Sequence, residues 1–348
     1  MRVTSSLATA LTPTAVALGN FDGVHLGHRQ VIQPILQATI ASGKVAPKPS
    51  VEDCQVPLER SSLPIPNDNV ENPSVQNPGH VYPTVATFNP HPREFFSGIS
   101  WKLLTTRSEK VEQLRILGVE QLVLLPFDRE LASLSPQQFV EKILVQQLGV
   151  KWVSVGEDFR FGHKRAGTSA DLKAIASSHG VEVTIVSLQT CQGERISSSI
   201  IRQALEQGDI TQANQRLGRP YSLTGVVVKG KQLGRTIGFP TANLELPPEK
   251  FLPRQGVYSV RVTAASQRIP ISSQPGVMNI GMRPTLSGTA LSVEVHLLDW
   301  SGDLYGQTLT ISLEQFLRPE QKFASLDNLK AQIQEDCAVA RAFFENRR

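Results

Sequence analysis

Two histidines in the stretch GNFDGVHLGHRQVI, residues 19–32, have the type and spacing to handle a phosphate. His25 and His28 stand three positions apart, after a glycine-bracketed turn and before an apolar run of helical length. Histidine metal ligands on a helix commonly stand at i and i+4 with a third ligand nearby, a pattern that this stretch does not show. A helix N-terminus binds anions, and histidines there can donate to a phosphate whose charge grows in a transition state. The motif therefore predicts a nucleotidyl-transfer site, with two surface histidines at a turn as the alternative.

Three further motifs fall at or just beyond the ends of predicted strands. They are TFNPHPREFF at residues 87–96, VGEDFRFGHKRAG at 155–167 and ISSSIIRQAL at 196–205. Loops from one edge of a parallel sheet converge on one cleft, where hydroxyls and Arg202 would face phosphates and aromatic rings would face a flat ligand. Phe88, Phe159 and Phe161 are equally compatible with packing in the core.

A glycine-bearing loop stands in the second half of the chain, in KGKQLGRTIGFPTANLELP, residues 229–247. A backbone without bulky side chains at Gly234 and Gly238 can wrap phosphates. Thr241 and Asn243 offer neutral oxygens to Mg²⁺, which keeps several of its waters. The stretch is not the Walker pattern GxxxxGK[ST], and an ordinary turn is the alternative for the bare pattern.

Two types of element must position these motifs. Strands alternate with helices in the first part of the chain, with strands predicted over 14–20, 81–88, 121–127, 151–156 and 182–188 and helices over 26–41, 106–119 and 135–149. Short alternating runs broken by glycine and proline follow, over 221–230, 256–265, 276–281, 291–299 and 309–317, and a last helix over 325–344 begins after Ser325. The pattern predicts an α/β doubly wound parallel sheet over 1–219, then a small antiparallel β-barrel with a C-terminal helix over 220–348.

Composition fits a globular protein with two domains, since the chain has 348 residues, 40% of them hydrophobic and 19% charged. No stretch approaches the roughly 20 apolar residues of a membrane span, and the N-terminus lacks a processing site, so a cytoplasmic location is expected. The formal charge of +4 comes from scattered basic residues, which permit nucleic acid but do not indicate it. Three separated cysteines predict unpaired thiols in a reducing compartment. Residues 44–80 are rich in proline, lack apolar periodicity and are expected to be a disordered insertion without a catalytic role.

The motifs together, in this order, resemble the bifunctional prokaryotic FAD synthetases, which join a riboflavin kinase to an FMN adenylyltransferase. The first four motifs resemble the adenylyltransferase module, of the wider HxGH nucleotidyltransferase group. GRTIGFPTAN, with GVMNIGMRPTL, VEVHLLDW, DLYG and FLRPEQKFASLDNLKAQI, resembles the kinase module. The resemblance covers nearly the whole chain apart from the first dozen residues and the insertion at 44–80.

The resemblance implies roles for individual residues of the first module. His25 and His28 would contact the ATP phosphates, with Ser198, Ser199 and Arg202 on the triphosphate and Asn89 and Asp158 near the flavin or the transferred phosphate. The family usually carries threonine where Ser199 stands, and a hydroxyl is retained. The same motifs extend the predicted ATP and FMN site to Gly19, Asn20, Phe21, Asp22, Gly23, Phe161 and Ser197.

In the kinase module, Glu294 would be the base that accepts the proton of the ribityl hydroxyl. Its alternative is a surface carboxylate on the outward face of an alternating strand. His296 lies on the same face of that strand and could support it, and Arg318 could close over the flavin or the nucleotide. The predicted kinase ATP and flavin residues are Gly234, Arg235, Gly238, Phe239, Pro240 and Arg318, and Thr241 and Asn243 are the predicted metal ligands.

The expected substrates and products are ATP, riboflavin, FMN, FAD and pyrophosphate, with Mg²⁺ bound to ATP and with flavin as substrate and product. No nucleic acid and no membrane partner are expected, and weak self-association is left open. One rival interpretation is an RNA-binding protein with an HxGH-type domain, for which clustered basic residues and exposed aromatic residues on the barrel would be expected. Another is an enzyme in which only one module is active.

Overall fold

The computed structural model describes residues 1–41, 79–191, 193–230, 233–264, 270–285 and 288–346. The chain forms two compact units, Met1–Ser198 and Ser199–Arg348. The insertion predicted over residues 44–80 lies outside the described residues, except for its last two. The predicted domain boundary at residue 219 stays a prediction.

The first unit is built on a six-stranded sheet with the strand order β1-β4-β3-β2-β5-β8, in which every neighbouring pair is parallel. Its strands are β1 Arg2–Thr4, β2 Thr14–Leu18, β3 Tyr82–Asn89, β4 Gln121–Pro126, β5 Val150–Gly156 and β8 Glu182–Val186. Two small antiparallel pairs accompany it, β6 Arg160–Phe161 with β7 Gly167–Thr168 and β9 Thr190–Cys191 with β10 Glu194–Arg195. The predicted doubly wound parallel sheet is therefore confirmed.

Helices cover both faces of this sheet. They are α1 Leu26–Ala41, α2 Pro92–Ser97, α3 Arg107–Leu117, α4 Arg129–Ser133, α5 Pro136–Gln138 and α6 Ser169–Ser178, with short 3₁₀ turns at Leu7–Thr9 and His163–Arg165. Successive residues of one strand belong to different hydrophobic clusters: Val16 to one face, Ala15 and Ala17 to the other. Burial on both faces explains why β2 is a continuous apolar run instead of an alternating one.

The predicted helix over 135–149 differs from the structure in its hydrogen bonding. After the single turn α5, residues Phe139–Gln147 form a π-helix. The N–H of Leu148 accordingly donates to the carbonyl of Ile143, five residues earlier, at 3.0 Å. Hydrophobic spacing could not distinguish the two helix types, because the apolar residues face the core in either one.

The second unit contains a closed antiparallel barrel with the order β11-β12-β15-β14-β13-β16, as the sequence predicted. Its strands are β11 Tyr221–Val228, β12 Ala242–Glu245, β13 Gly256–Ala264, β14 Ile271–Thr285, β15 Gly288–Leu297 and β16 Thr308–Arg318. Its helices are α8 Ile210–Leu217, the short α9 Leu233–Thr236 and α10 Leu326–Glu345, and α7 Ser198–Gln207 begins at the last residue of the first unit. The sequence pattern missed β12, because a four-residue strand shows too little alternation to be recognised.

Helix α10 packs on the outside of the barrel. Its Cys337, Ala340 and Phe344 form one buried cluster with Val257 of β13 and Val277 of β14. Ser325 caps the helix, because its side chain accepts a hydrogen bond from the N–H of Asn328 at 3.2 Å. Helix α10 therefore covers the barrel surface at β13 and β14, and strand β15 is the next strand of the barrel after β14.

In the part of the chain that the structure describes, no helix has the length and apolar character needed to cross a membrane. The described cysteines, Cys191 and Cys337, are buried thiols. Cys54 lies outside the described residues.

Candidate functional sites

The turn that follows β2 is held by hydrogen bonds from other parts of the first unit. The carbonyl of Asn20 accepts from Thr87 Oγ1 at 3.0 Å and from Lys110 Nζ at 2.9 Å. The carboxylate of Asp22 accepts the N–H of Leu104 at 2.8 Å, and the N–H of Gly23 donates to a hydroxyl of the same loop. The carbonyl of Asn20 is thus held by partners about 70 to 90 residues away in the chain.

The backbone of this turn adopts an uncommon conformation. Phe21 and Val24 have φ angles of 48° and 42°, and both side chains are fully buried. A left-handed conformation of a residue other than glycine costs on the order of 1–3 kcal/mol and persists only where the surroundings enforce it. Such strain clusters at functional sites, and here it lies directly before the predicted histidines.

His25 and His28 lie together at the start of α1. Their rings stack with centroids 3.6 Å apart, and the ring of Phe21 packs against His28 at 5.2 Å. His25 is 6% exposed, and its Nδ1 accepts the N–H of His28 at 3.2 Å. An Nδ1 that accepts a hydrogen bond places the proton of the neutral imidazole on Nε2, which becomes the donor of this ring. The pair is therefore a compact donor group at the positive end of a 16-residue helix.

Other predicted residues of this site follow the same edge of the sheet. Asn89 is the last residue of β3, its carbonyl accepts the N–H of Phe127 at 3.0 Å, and its side chain is exposed. Asp158 follows β5 and forms an ion pair with Arg195. Both positions are at carboxyl ends of parallel strands, where the sequence placed them.

The remaining predicted residues of the first unit have structural contacts. Gly19 donates its N–H to the carbonyl of Ala86 at 3.3 Å, and Ser198 Oγ donates to the carbonyl of Asp22 at 2.8 Å. Ser197 is half-buried. Phe161 is 4% exposed inside a hydrophobic cluster, which favours the packing alternative for this ring, and a binding role stays a prediction.

Ser199 and Arg202 belong to the second unit. The guanidinium of Arg202 lies over the ring of Phe251, 4.7 Å from its centroid. Ser199 is exposed near the start of α7. Their assignment to the triphosphate of ATP stays a prediction.

A second group of predicted residues comes together on the outer face of the barrel. Thr241 Oγ1 donates to Glu294 Oε2 at 3.2 Å. Asn243 of β12 and Asn279 of β14 are the direct cross-strand neighbours of Glu294 on its two sides. Glu294 is half-buried and lies on the outward face, since Val293 and Val295 on either side are buried. Glu294 therefore lies on the outward face of its strand, as expected for a surface carboxylate. Unlike a simple surface carboxylate, it has polar partners and is partly shielded from water.

The glycine-bearing loop before β12 packs around these residues. A Cβ on Gly230 would lie 2.6 Å from Cγ of Asn243, so only glycine leaves room for this carboxamide. A Cβ on Gly234 would overlap the carbonyl of Phe239, whose N–H donates back to the carbonyl of Gly234 at 2.8 Å. Gly238 is close to this tight turn and has a φ of 89°.

His296 supports the same loop. Its Nδ1 donates to the carbonyl of Pro240 at 2.8 Å, and its ring packs edge-on against Phe239 at 5.7 Å. These contacts are with the loop before β12, and the predicted support of Glu294 by His296 stays a prediction. The side chain of Arg235 lies outside the described residues.

Arg318 has a different environment from the one its predicted role requires. Its guanidinium forms two parallel hydrogen bonds to Asp336 of α10, at 2.9 and 2.7 Å, and a third to the carbonyl of Pro319 at 3.2 Å. The ion pair is largely buried and joins β16 to α10. In this conformation Arg318 is a structural residue, and closure over a ligand stays a prediction.

Sequence reasoning missed three residues that contribute to these sites, namely Lys110, Gly230 and Asn279. A signal for Lys110 was present, because it shares a helix face with Leu114 and Leu117, where an apolar residue is expected. Asn279 could not be found without the strand register that places it beside Glu294. Among the described residues, no group of three or more His, Cys, Asp or Glu side chains is arranged to hold a metal ion.

Comparisons with known proteins agree with this division of the chain. A family model for FAD synthetase matches residues 7–46 and 74–200, and one for riboflavin kinase matches residues 217–344. A bifunctional riboflavin kinase/FMN adenylyltransferase of Escherichia coli (strain K12) is 39% identical over 332 residues, which are 94% of this chain and 92% of the relative. The enzyme of the same name from Haemophilus influenzae is 36% identical over 334 residues, 95% of this chain and 94% of the relative.

One solved structure resembles the whole chain. It is described as a macrolide-efflux protein from Streptococcus pneumoniae, is 29% identical and has a TM-score of 0.77, covering 97% of this chain and 98% of its own. The fold is therefore shared along the full length, and the two family models assign its halves. By the family matches and by identity to curated relatives over nearly its entire length, the chain belongs to the bifunctional riboflavin kinase/FMN adenylyltransferases.

Proposed function

We propose that this chain converts riboflavin into FAD in two steps that each consume ATP, with the kinase reaction on the barrel and the adenylyl transfer at the parallel sheet. The observation that carries the proposal is that predicted residues of one site come together in each unit. In the first unit His25 and His28 stack at the start of α1, and in the second Thr241 and Asn243 lie beside Glu294.

In the kinase step, Glu294 would accept the proton of the terminal ribityl hydroxyl as that oxygen attacks the γ-phosphorus of ATP. The bond from phosphorus to the bridging oxygen breaks, and ADP leaves. The hydrogen bond from Thr241 restricts rotation of the carboxylate. General-base assistance of this kind contributes roughly 10²–10⁴-fold to a rate.

Mg²⁺ fits the oxygens that this part of the barrel offers. A hydroxyl from Thr241 and a carboxamide from Asn243 are hard ligands, and Mg²⁺ takes few protein ligands when phosphates and waters complete its octahedron. The Asn243 carboxamide fills the space beside Gly230, which has no side chain, and this close packing supports a fixed position for the amide oxygen. Bound with ATP, the ion would neutralise charge on the transferred phosphoryl group.

In the adenylyl transfer, the phosphate of FMN is itself the nucleophile and attacks the α-phosphorus of ATP, and pyrophosphate leaves. No activated serine or cysteine is required, and catalysis rests on in-line positioning and on stabilising the developing charge. The Nε2–H of His25, the ring of His28 and the N-terminus of α1 would supply donors and positive potential for this charge. A cytoplasmic location belongs to this proposal and is supported by the thiol of Cys337.

The test is to incubate the purified chain with riboflavin and Mg-ATP, and separately with FMN and Mg-ATP, and to resolve the flavins by chromatography. We expect FMN followed by FAD in the first reaction and FAD in the second. FMN without FAD would leave only the kinase, FAD from FMN alone would leave only the adenylyltransferase, and no conversion in either would contradict the proposal. Omission of Mg²⁺ in the presence of a chelator should stop both reactions.

A further inference from the structure

One segment that forms hydrogen bonds to the turn before the histidines belongs to none of the motifs and has no role in the proposed mechanism. We call residues Leu104–Lys110 the clamp segment. Its backbone N–H groups at Leu104 and Thr105 both donate to Asp22, at 2.8 and 3.4 Å, and Thr105 Oγ1 accepts the N–H of Gly23 at 3.1 Å. Its last residue, Lys110, donates to the carbonyl of Asn20 at 2.9 Å.

Lys110 is placed against two physical preferences. It is 8% exposed, and a buried ammonium loses its hydration. It also occupies the fourth position of α3, near the positive end of the helix, where a cation is unfavourable. Burial lowers the pKa of Lys110, and the charge of Asp22 raises it in part. An apolar side chain would be more stable on this buried helix face. The feature that a lysine provides and an apolar residue cannot is the hydrogen bond to the turn.

The contact acts on the strained part of the turn. The carbonyl of Asn20 belongs to the peptide plane that precedes Phe21, so fixing its direction restricts the φ angle of Phe21, which is 48°. The ring of Phe21 in turn packs against His28. A continuous path of contacts therefore runs from the ammonium of Lys110 to the histidine pair. The path crosses only one peptide group and one aromatic ring.

We propose that Lys110 is a positioning residue for adenylyl transfer, which holds the carbonyl of Asn20 and thereby keeps Phe21 and His28 in place. This inference rests on the proposed function of the first unit. Thr87 donates to the same carbonyl at 3.0 Å and shares the task. Lys110 donates to the backbone of the turn, so we expect its loss to affect the rate of the chemical step more than the binding of ATP.

The test compares Lys110→Met with Thr87→Val and with Lys173→Met, an exposed lysine of α6, as the matched control. The kcat and the KM for ATP are measured with FMN and Mg-ATP, and wild-type FAD formation is measured first. We expect Lys110→Met to lower kcat about 10²-fold, the scale of a 1 Å misplacement, with little change in the KM for ATP. Thr87→Val should lower kcat less, and the double variant should lose less than the product of the two single effects, because both residues hold one carbonyl.

Each other outcome decides the matter. If wild-type protein makes no FAD, the proposed function fails before the variants are reached. If Lys110→Met forms FAD at the wild-type rate, or if it raises the KM for ATP with kcat unchanged, the positioning role is overturned. Should Lys110→Met not fold, the decision passes to Thr87→Val, in which an isosteric side chain removes a single donor: an unchanged kcat there overturns the proposal.

Discussion

The two units build their candidate sites in different ways. In the first, the central feature is backbone: a buried turn with left-handed residues at Phe21 and Val24, held by donors from strand β3 and from the clamp segment. In the second, side chains on the outer face of the barrel form the centre, with Glu294 between Asn243 and Asn279. One site is fixed by buried contacts between distant parts of the chain, the other by strand register and a tight local loop.

This difference determines which substitutions each site tolerates. A turn held by several hydrogen bonds to backbone groups depends on residues that never meet the ligand. A site on a barrel face depends on the few side chains that the register places side by side, because the barrel itself stabilises their backbone. Substitutions in the two sites test this contrast, and the barrel site depends most on Glu294.

The largest effect is expected for Glu294→Gln. Glutamine keeps the size of the side chain and a partner for Thr241 but cannot accept the substrate proton, so riboflavin phosphorylation should fall roughly 10²–10⁴-fold. FAD formation from supplied FMN should remain, because Glu294 is not among the residues proposed for adenylyl transfer. The control is Glu245→Gln, which makes the same change at an exposed residue of the neighbouring strand β12 and should leave both reactions unchanged. A kinase rate within error of wild type would remove Glu294 from the role of base.

A smaller effect, on adenylyl transfer instead of phosphorylation, is expected for His28→Ala. Loss of one donor to a developing charge typically costs roughly 10²–10³-fold, and the neighbouring His25 remains. FAD formation from FMN should therefore fall while FMN formation from riboflavin persists, both followed by chromatography. His179→Ala, at the end of α6, controls for the loss of a histidine elsewhere in the unit. Loss of both reactions in a folded protein would contradict two independent sites.

Gly230→Ala tests whether the loop positions Asn243. The new Cβ would overlap the carboxamide, so either the loop or the amide must move. A displacement near 1 Å can cost up to about 10²-fold, and we expect a ten- to hundredfold lower kinase kcat/KM for Mg-ATP. FAD formation from FMN in the same sample serves as the internal control. Unchanged kinase kinetics would show that Asn243 tolerates displacement and is not a critical oxygen ligand.

The parts predicted from the sequence share a strong local signal. Helix α1 begins and ends where its apolar spacing and turn predicted, and the buried strands of the sheet are continuous apolar runs. The motif at residues 19–32 drew attention to His25 and His28 by residue type and spacing, whereas Glu294 was predicted only from the resemblance to the FAD synthetases, since its strand pattern alone fits a surface carboxylate. Strand β12 and the π-helix were missed, since short strands and helix type leave little trace in hydrophobic spacing.

Contacts between distant residues are what the sequence could not supply. Arg318 has the residue type of a ligand-binding cation, but Asp336 of α10 occupies its guanidinium. The helix pattern marks Lys110 as unusual, but only the fold shows that it donates to the carbonyl of Asn20. In both cases the role depends on a partner 18 or 90 residues away, which composition and periodicity cannot identify.

The smallest effect offers the sharpest comparison, because two helices of the first unit carry the same cap. Thr106 begins α3 and Thr168 begins α6, each in a capping box with an acidic residue three positions later. Thr106→Ala should lower the free energy of unfolding by about 1 kcal/mol, the usual cost of a lost cap, and Thr168→Ala should also be destabilising.

Only Thr106→Ala should in addition slow FAD formation, since α3 carries Lys110 and its N-terminus continues the loop that holds Asp22. Both variants are measured by denaturant unfolding and by kcat with FMN and Mg-ATP, well below the unfolding transition. Equal kcat values would mean that fraying of α3 does not reach the turn, and that Lys110 and Leu104 hold it without help from the cap. A selective loss in Thr106→Ala would show that the buried site depends on a helix end that contacts no substrate, a dependence that the barrel site does not share.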